Sequence, residues 1–247
     1  MKRLLTAVFC AAVIGAPVFA EKDNQITARI GIGPQVSPEY FGSDGSVTTP
    51  TGSLDVDLLR FRGQTFGQEQ LGFGFRPSAR FIAERSADEY DELTGLEDID
   101  ASLEIGGGLR FTQPNYDLFA DVRYGVIGHE SVVAEIGGDL IFQPSDQLEL
   151  RAGPRILWGS NDFSDTYFGV TDAESAASAF DAFDPDAGII SQGIKAEATY
   201  QFNDDWGLKG TVQYDLLADD AANSPIVQSE DQVTGSIVLT RRVSFGF

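Results

Sequence analysis

The last sixteen residues decide the fold, because Gln232 to Phe247 reads QVTGSIVLTRRVSFGF. Alternate positions form an apolar face that only Arg241 interrupts, and the positions between them are small or polar apart from Val238. A period of two residues is typical of a β-strand. An apolar strand that ends a chain on an aromatic residue is typical of the closing strand of an outer-membrane β-barrel. The insertion machinery is then an expected partner, reading a signal formed by Val243, Phe245 and Phe247. The alternative is the last strand of a soluble sandwich.

The first residues predict export. Lys2 and Arg3 precede an uncharged stretch from Leu4 to Ala20, which ends in a small-x-small cleavage site. This pattern predicts a signal peptide over residues 1–20 and a mature barrel domain over residues 21–247. A single transmembrane helix is the alternative, but the stretch is short for the roughly 20 residues that a span needs. An exported membrane protein without apolar helices can satisfy its backbone only by closing a sheet.

Charge narrows the range of partners. The chain has 17 basic and 38 acidic residues, a formal net charge of −21. Nucleic-acid binding needs a basic surface, so this charge predicts no nucleic-acid partner. Acidic loops outside the membrane would lie near lipopolysaccharide, where divalent cations can bridge the two. Outer-membrane lipid and lipopolysaccharide are therefore the expected surroundings of the protein. The simpler explanation of the charge is solubility during passage through the periplasm.

Alternating patterns predict an all-β, antiparallel transmembrane barrel of about ten strands, with eight or twelve as alternatives. Short turns alternate with longer connections at 37–51, 85–98, 159–188 and 218–231. Short periplasmic turns and long extracellular loops are typical of outer-membrane barrels. The predicted strands are 26–36, 52–62, 69–84, 99–113, 116–127, 131–143, 146–158, 189–202, 205–217 and the C-terminal strand.

Many charged residues fall on the predicted inner faces of these strands, and arginine dominates the cations. Arginine suits bidentate pairing with carboxylates in a confined space. About eight strands enclose only side chains, whereas 16–18 enclose an aqueous channel. Ten strands therefore predict a lumen that ion pairs largely fill, with a narrow, specific pore as an alternative. The predicted lumen charge network consists of Arg76, Arg80, Arg110, Arg123, Arg151, Arg155, Glu104, Asp121, Asp139 and Glu149.

The connection 159–188 is acidic and contains no basic residue. Thr171 and Glu174 have the spacing of a capping box before an alanine-rich stretch that runs to Phe183. The sequence predicts a short helix here, with Phe180 and Phe183 packed on the barrel mouth, and a partner-binding helix is the alternative.

The only histidine offers an enzymatic alternative. His129 and Ser131 are two residues apart, and Glu135 follows as a carboxylate that could orient the imidazole. This spacing resembles the His-x-Ser of the PagL lipid A deacylases, so an acyl hydrolase is one hypothesis. The simpler interpretation is a histidine in a tight turn and a chain without catalytic residues. One histidine and no cysteine after Cys10 predict no metal site, and no motif predicts a cofactor.

Several short motifs resemble the MipA/OmpV family of MltA-interacting outer-membrane proteins. These motifs are Pro38-x-Tyr40-x-Gly42-Ser43, Tyr167-Phe168-Gly169-Val170-Thr171, Pro185-x-Ala187-Gly188 and Asn223-Ser224-Pro225-Ile226-Val227. The resemblance implies an outer-membrane barrel without established enzymatic activity. It implies a structural, scaffolding or surface-interaction role, linked in one member to murein-synthesising and murein-cleaving enzymes. Other members resemble surface antigens or adhesins.

Overall fold

The strands of the barrel are long and their order is simple. The computed structural model describes residues 24–62, 64–66 and 71–247, with only the backbone at 64–66, so the predicted signal peptide lies outside the described residues. No helix in these ranges is both long and apolar enough to cross a membrane. The strands are β1 Gln25–Pro38, β2 Ser46–Phe61, β3 Gln64–Phe66, β4 Gly72–Ile82, β5 Ser102–Gln113, β6 Tyr116–Ile127, β7 Val132–Ser145, β8 Leu148–Gly159, β9 Gly188–Gln201, β10 Trp206–Leu217 and β11 Asp231–Gly246.

All pairings between these strands are antiparallel, and they form one sheet in the order β3-β2-β1-β11-β10-β9-β8-β7-β6-β5-β4. The C-terminal strand β11 lies between β1 and β10, so it joins the two ends of the chain. Ten long strands and the three-residue β3 make a nearly closed barrel, which confirms the predicted fold class. The two strands at the sheet ends, β3 and β4, lie next to each other in sequence.

The two-residue period sets the two faces of the wall. In β6 the side chains alternate between exposed and buried from Tyr116 to Gly125. Leu118, Val122 and Tyr124 point outward and are about half exposed, whereas Asp117 and Asp121 are buried. Leaving large apolar side chains outside is favourable only where lipid covers them.

Two parts of the strand prediction are wrong. Strand β2 begins at Ser46, six residues before the predicted start, and β3 lies within a segment predicted as a turn. The outward positions at the start of β2 are Ser46, Thr48 and Pro50, which lack the apolar face used to recognise a spanning strand. This part of β2 extends the wall beyond the apolar band.

Three helices and a 3-10 turn lie in the long connections at one end of the barrel. They are η1 Asp91–Leu93, α1 Asn161–Phe168, α2 Asp172–Ala177 and α3 Asp219–Asn223. We call the packed connections 39–45, 83–101, 128–131, 160–187 and 218–230 the cap, and the opposite end the turn end. By the usual arrangement the turn end faces the periplasm.

The hydrophobic core of the protein lies in the cap and at the strand ends that adjoin it, which contribute Val133, Leu157, Ile190 and Leu217. One cluster surrounds Phe163, Tyr167 and Phe168 of α1, and a second surrounds Leu93 and Ile226. Hydrogen bonds tie the connections together, for example from Ser224 Oγ to the Phe168 carbonyl at 2.6 Å. The cap is therefore a packed unit that closes the mouth of the barrel.

Candidate functional site

Ion pairs cross the lumen along the inner faces of the strands. All ten residues of the predicted network lie there, and each has a partner of opposite charge. Bidentate or close pairs join Arg80 to Glu104 at 2.5 Å and Arg155 to Asp139 at 2.7 Å. Three further pairs place Arg151 2.7 Å from Glu149, Arg76 3.1 Å from Asp121, and Arg110 in contact with Asp117.

The network also spans the width of the lumen. Lys209 on β10 contacts Asp55 on β2, although β1 and β11 separate these two strands in the sheet. Between the ion pairs remains a cavity of about 720 Å³. The lumen is thus filled with charged side chains around a small cavity.

Glu104 connects the lumen network to the cap. Its buried carboxylate accepts hydrogen bonds from Arg80 Nε at 2.9 Å and from Arg123 Nε at 2.9 Å. It also lies 3.2 Å from Nε2 of His129. A carboxylate with two guanidinium partners stays ionised in a buried position.

His129 and Ser131 form a hydrogen-bonded pair beside Glu104. Nδ1 of His129 lies 2.6 Å from Ser131 Oγ and accepts the backbone N–H of Ser131 at 3.1 Å. An acceptor at Nδ1 places the ring proton on Nε2, which then donates to Glu104. The Ser131 hydroxyl therefore donates to the imidazole, and serine, base and orienting carboxylate stand in the order of a serine hydrolase triad.

The third member of this arrangement differs from the prediction. Glu135 lies 2.8 Å from Arg123 and 4.0 Å from Arg155, so it belongs to the lumen network, and the carboxylate at His129 is Glu104. Spacing along the chain favoured Glu135. It could not show that Glu104, on the neighbouring strand β5, faces the same point.

The local backbone makes room for the histidine. A Cβ at Gly125 would lie only 2.5 Å from Cε1 of the His129 ring. The turn that carries His129 uses positive φ angles at Gly128 and Glu130, 85° and 46°. These features fix the ring above the inner face of β6.

Helix α1 covers the pair completely. Phe163 and Tyr167 pack edge-on against the imidazole with ring centroids 5.2 and 5.8 Å away, and the His129 side chain is 0% exposed. The sequence prediction missed α1, although Phe163 and Tyr167 at positions i and i+4 were a signal for a helix. Ser131 cannot meet a substrate while α1 is in this position.

The cap also changes the acidity of its own groups. The Tyr167 hydroxyl donates to Ser102 Oγ at 3.0 Å, and burial raises its pKa. Burial, together with the neighbouring Glu92 carboxylate, raises the pKa of Tyr40 to about 12. Burial lowers the pKa of Arg85, whose Nη1 donates to the Tyr167 carbonyl at 3.3 Å. These shifts reflect the burial of these groups in the packed cap.

The predicted insertion signal lies at the turn end of β11. Phe245 and Phe247 point outward and are more than half exposed, and Val243 pairs with Ala28 of β1. The Phe247 backbone N–H donates to the Asn24 carbonyl at 3.1 Å. Their role as a signal remains a prediction.

Comparisons with known proteins agree with this architecture. The chain is 32% identical to the MltA-interacting protein of Escherichia coli (strain K12) over 80 residues, which are 32% of each chain. It is 37% identical to the outer membrane protein OmpV of Vibrio cholerae over 79 residues, 31% of this chain and 29% of that protein. The matches thus span about a third of these relatives.

Solved outer-membrane barrels are also similar. The COG4313 outer membrane channel from Pseudomonas putida F1 is matched over 96% of this chain and all of that chain, at 11% identity and a TM-score of 0.44. Neisserial surface protein A is matched over 90% and 97%, at 9% identity and a TM-score of 0.32.

The family model described as MltA-interacting protein MipA matches residues 30–243, which include nearly the whole barrel and cap. The chain is therefore an outer-membrane β-barrel that belongs to the MipA/OmpV family.

Proposed function

We propose that the protein acts through its surfaces, as an interaction barrel that contacts murein-synthesising and murein-cleaving enzymes at its turn end. The observation that carries this proposal is the closed mouth of the barrel together with its ion-paired lumen. The cap covers the mouth with buried aromatic residues, and ion pairs such as Lys209–Asp55 cross the lumen. A barrel of this kind is poorly suited to general diffusion, so its exposed ends are the parts available to protein partners.

The name of one relative supports the choice of partner, since the Escherichia coli protein is an MltA-interacting protein. Murein lies in the periplasm, so its enzymes would meet the turn end. The short connections at the turn end that the structure describes in full include 114–115, 146–147 and 202–205.

In-envelope photo-crosslinking tests this proposal. A photoreactive residue is placed at Asn115, Gln147 or Asp204 at the turn end, and at Asp181 on the cap as a matched control. We expect murein enzymes to be captured from the turn end and not from Asp181. Capture of no murein enzyme from any turn-end position would contradict the proposal.

A second candidate function is acyl hydrolysis. Its support is the geometry at Ser131, where the hydroxyl lies 2.6 Å from the imidazole and the imidazole lies 3.2 Å from Glu104. The burial of Ser131 requires that α1 move away before a lipid can enter. The substrate would be an acyl ester of the outer leaflet.

A fluorophosphonate probe and lipid A mass spectrometry test this candidate. If it is correct, the probe labels Ser131, and Phe163→Ala in α1 increases labelling by loosening the cover. Ser131→Ala then abolishes labelling and changes the lipid A spectrum. Ser164→Ala, a second buried serine in the cap, is the matched control. Unchanged spectra and absent labelling in all variants would eliminate the hydrolase.

A further inference from the structure

The cavity in the lumen opens through the wall of the barrel. From β6 to β10 only inward-facing side chains line it. From β1, β2, β4 and β5, however, its lining includes residues whose side chains point outward and are at least half exposed: Ile30, Leu54, Phe75, Phe81 and Ile105. Ile30 and Ile105 lie in strands paired on both sides, so the opening lies at β2 and β4, which carry Leu54, Phe75 and Phe81 and, among the described residues, each have an edge without a full partner. We call this opening between β2 and β4 the lateral cleft.

The backbone pairing agrees with an opening at this place. In the described part of the chain β4 pairs only with β5, and β3 pairs with β2 only from Leu59 to Phe61. Both free edges carry a proline, Pro50 in β2 and Pro77 in β4. Proline cannot donate to a ladder and is therefore confined to edges or irregularities.

The two edge prolines differ from prolines elsewhere in the sheet. Pro77 pairs with Gly107 in an unbroken register, as expected when the missing N–H belongs to the free edge. Pro34 and Pro154 lie in interior strands. Each pairs on one side, with Pro50 and with Ile194, but is skipped on the other, in the pairing of β1 with β11 and of β7 with β8. The sequence itself thus disfavours a complete ladder between β2 and β4.

Three arginines stand just inside the lateral cleft. The side chains of Arg29, Arg76 and Arg80 are 30%, 33% and 25% exposed, whereas their carboxylate partners are at most 2% exposed. Arg29 and Arg80 each bind their partner through Nε and Nη2. No described residue accepts a hydrogen bond from Nη1 of either, so each guanidinium has donors left for a ligand.

We propose that the lateral cleft binds an amphiphile with an anionic head group and an acyl chain. The head group, a carboxylate or a phosphate, would meet the three arginines, whose planar donors fit both groups. The acyl chain would leave over Phe75 and Phe81 into the bilayer. The cavity volume of about 720 Å³ lies within the roughly 300–1,000 Å³ of small-molecule sites. This proposal is independent of the partner at the turn end.

Tryptophan quenching by brominated amphiphiles tests the site. Trp158 and Trp206, the only tryptophans, are changed to phenylalanine, and Phe75→Trp then supplies a single cleft reporter. Phe142→Trp supplies the matched control reporter, because Phe142 is 64% exposed on the outer face of β7. In nanodiscs we expect dibromostearate or a brominated lysophosphatidate to quench the cleft reporter saturably. The control reporter should be quenched only in proportion to the concentration of the amphiphile in the bilayer. The head group with the lower half-saturation identifies the source of the ligand.

Variants of an arginine that would contact the head group distinguish binding of the amphiphile in the lateral cleft from its partition into the bilayer. Arg76→Gln should raise the half-saturation concentration by about tenfold, since a charge-assisted contact is lost. Arg76→Lys keeps the charge and should raise it less, and heat-modifiable migration on gels confirms that both variants fold. Equal quenching of the cleft and control reporters, or equal binding of an uncharged glyceryl ester, would overturn the proposal. So would a dimer in which a second copy already shields the cleft reporter.

Discussion

At the scale of single residues, Glu104 is where barrel and cap depend on each other. Three charged or titratable partners, Arg80, Arg123 and His129, meet its side chain, which is 0% exposed. No other described carboxylate has three such partners within 4.0 Å. Removing one member of a buried ion pair leaves the others uncompensated and is strongly destabilising.

Glu104→Gln should therefore lower the free energy of unfolding by about 3–5 kcal/mol. Urea-induced unfolding in phospholipid vesicles measures the change. Glu149→Gln is the matched control, because Glu149 is 27% exposed and its ion pair is with Arg151. The control should lose less than about 1 kcal/mol. Equal losses of unfolding free energy in the two variants would show that the three partners of Glu104 give it no special role in the stability of the protein.

At the scale of elements, α2 depends on the capping box that the sequence predicts. Thr171 Oγ1 accepts the Glu174 N–H at 3.2 Å, and Glu174 accepts the Thr171 N–H at 2.9 Å. Glu174 also accepts the N–H of Glu97 at 3.0 Å, which ties α2 to another cap connection. Phe180 and Phe183, predicted to pack on the barrel mouth, pack against the cap cluster around Leu93 and Ile226, and the helix ends before them at Ala177.

Thr171→Ala should weaken α2 by about 1 kcal/mol through loss of the cap. Hydrogen exchange of the α2 amides measures the change, with Asp172→Asn, which leaves both capping bonds in place, as control. Protection equal to that of the parent protein would mean that tertiary packing alone holds the helix.

The same element should respond to acid. Partial burial opposes ionisation of Glu174, but the N–H groups of Glu97 and Thr171 outweigh it and lower its pKa. Because the pKa of Glu174 is lower in the folded protein, its ionised form stabilises the fold at pH values above the unfolded pKa of about 4.3. This stabilisation is lost as the pH falls through the folded pKa. Amide protection in α2 should therefore fall below about pH 4. Glu174→Gln keeps an acceptor without the charge, so most of this pH dependence should disappear; an unchanged profile would contradict the assignment.

The positions of the strands could be predicted from the sequence more completely than the helices or the contacts between side chains on different strands. Membrane burial forces every spanning strand to show its apolar face, and β6 was predicted with its observed ends, 116 and 127. The start of β2 was not predicted because Ser46, Thr48 and Pro50 lie beyond the apolar band and form no apolar face. The contact of Glu104 with His129 was not predicted because contacts between strands depend on the register of the strands, which a single sequence does not show.

At the scale of the whole molecule, the outer wall of the barrel faces lipid, and the cap closes the mouth of its lumen. The spanning strands leave their apolar side chains to the bilayer, so lipid supplies the burial that a soluble sheet would find in its own core. The hydrophobic core instead lies where the cap meets the adjoining strand ends, and Phe163 and Phe168 are fully buried there. Permeability should then be limited by the cap and by the cross-lumen ion pairs together.

Planar-bilayer recordings should accordingly show no large, stable channels for the parent protein. Phe163→Ala removes a fully buried ring from the cap and should make brief, small openings more frequent. Phe142→Ala removes a ring of the same size from the outer face of β7, so it should leave the recordings unchanged. Openings should stay small even in Phe163→Ala, because Lys209 and Asp55 still cross the lumen beneath the cap. Large steady currents from the parent protein would show that charged side chains line a conducting path rather than close it.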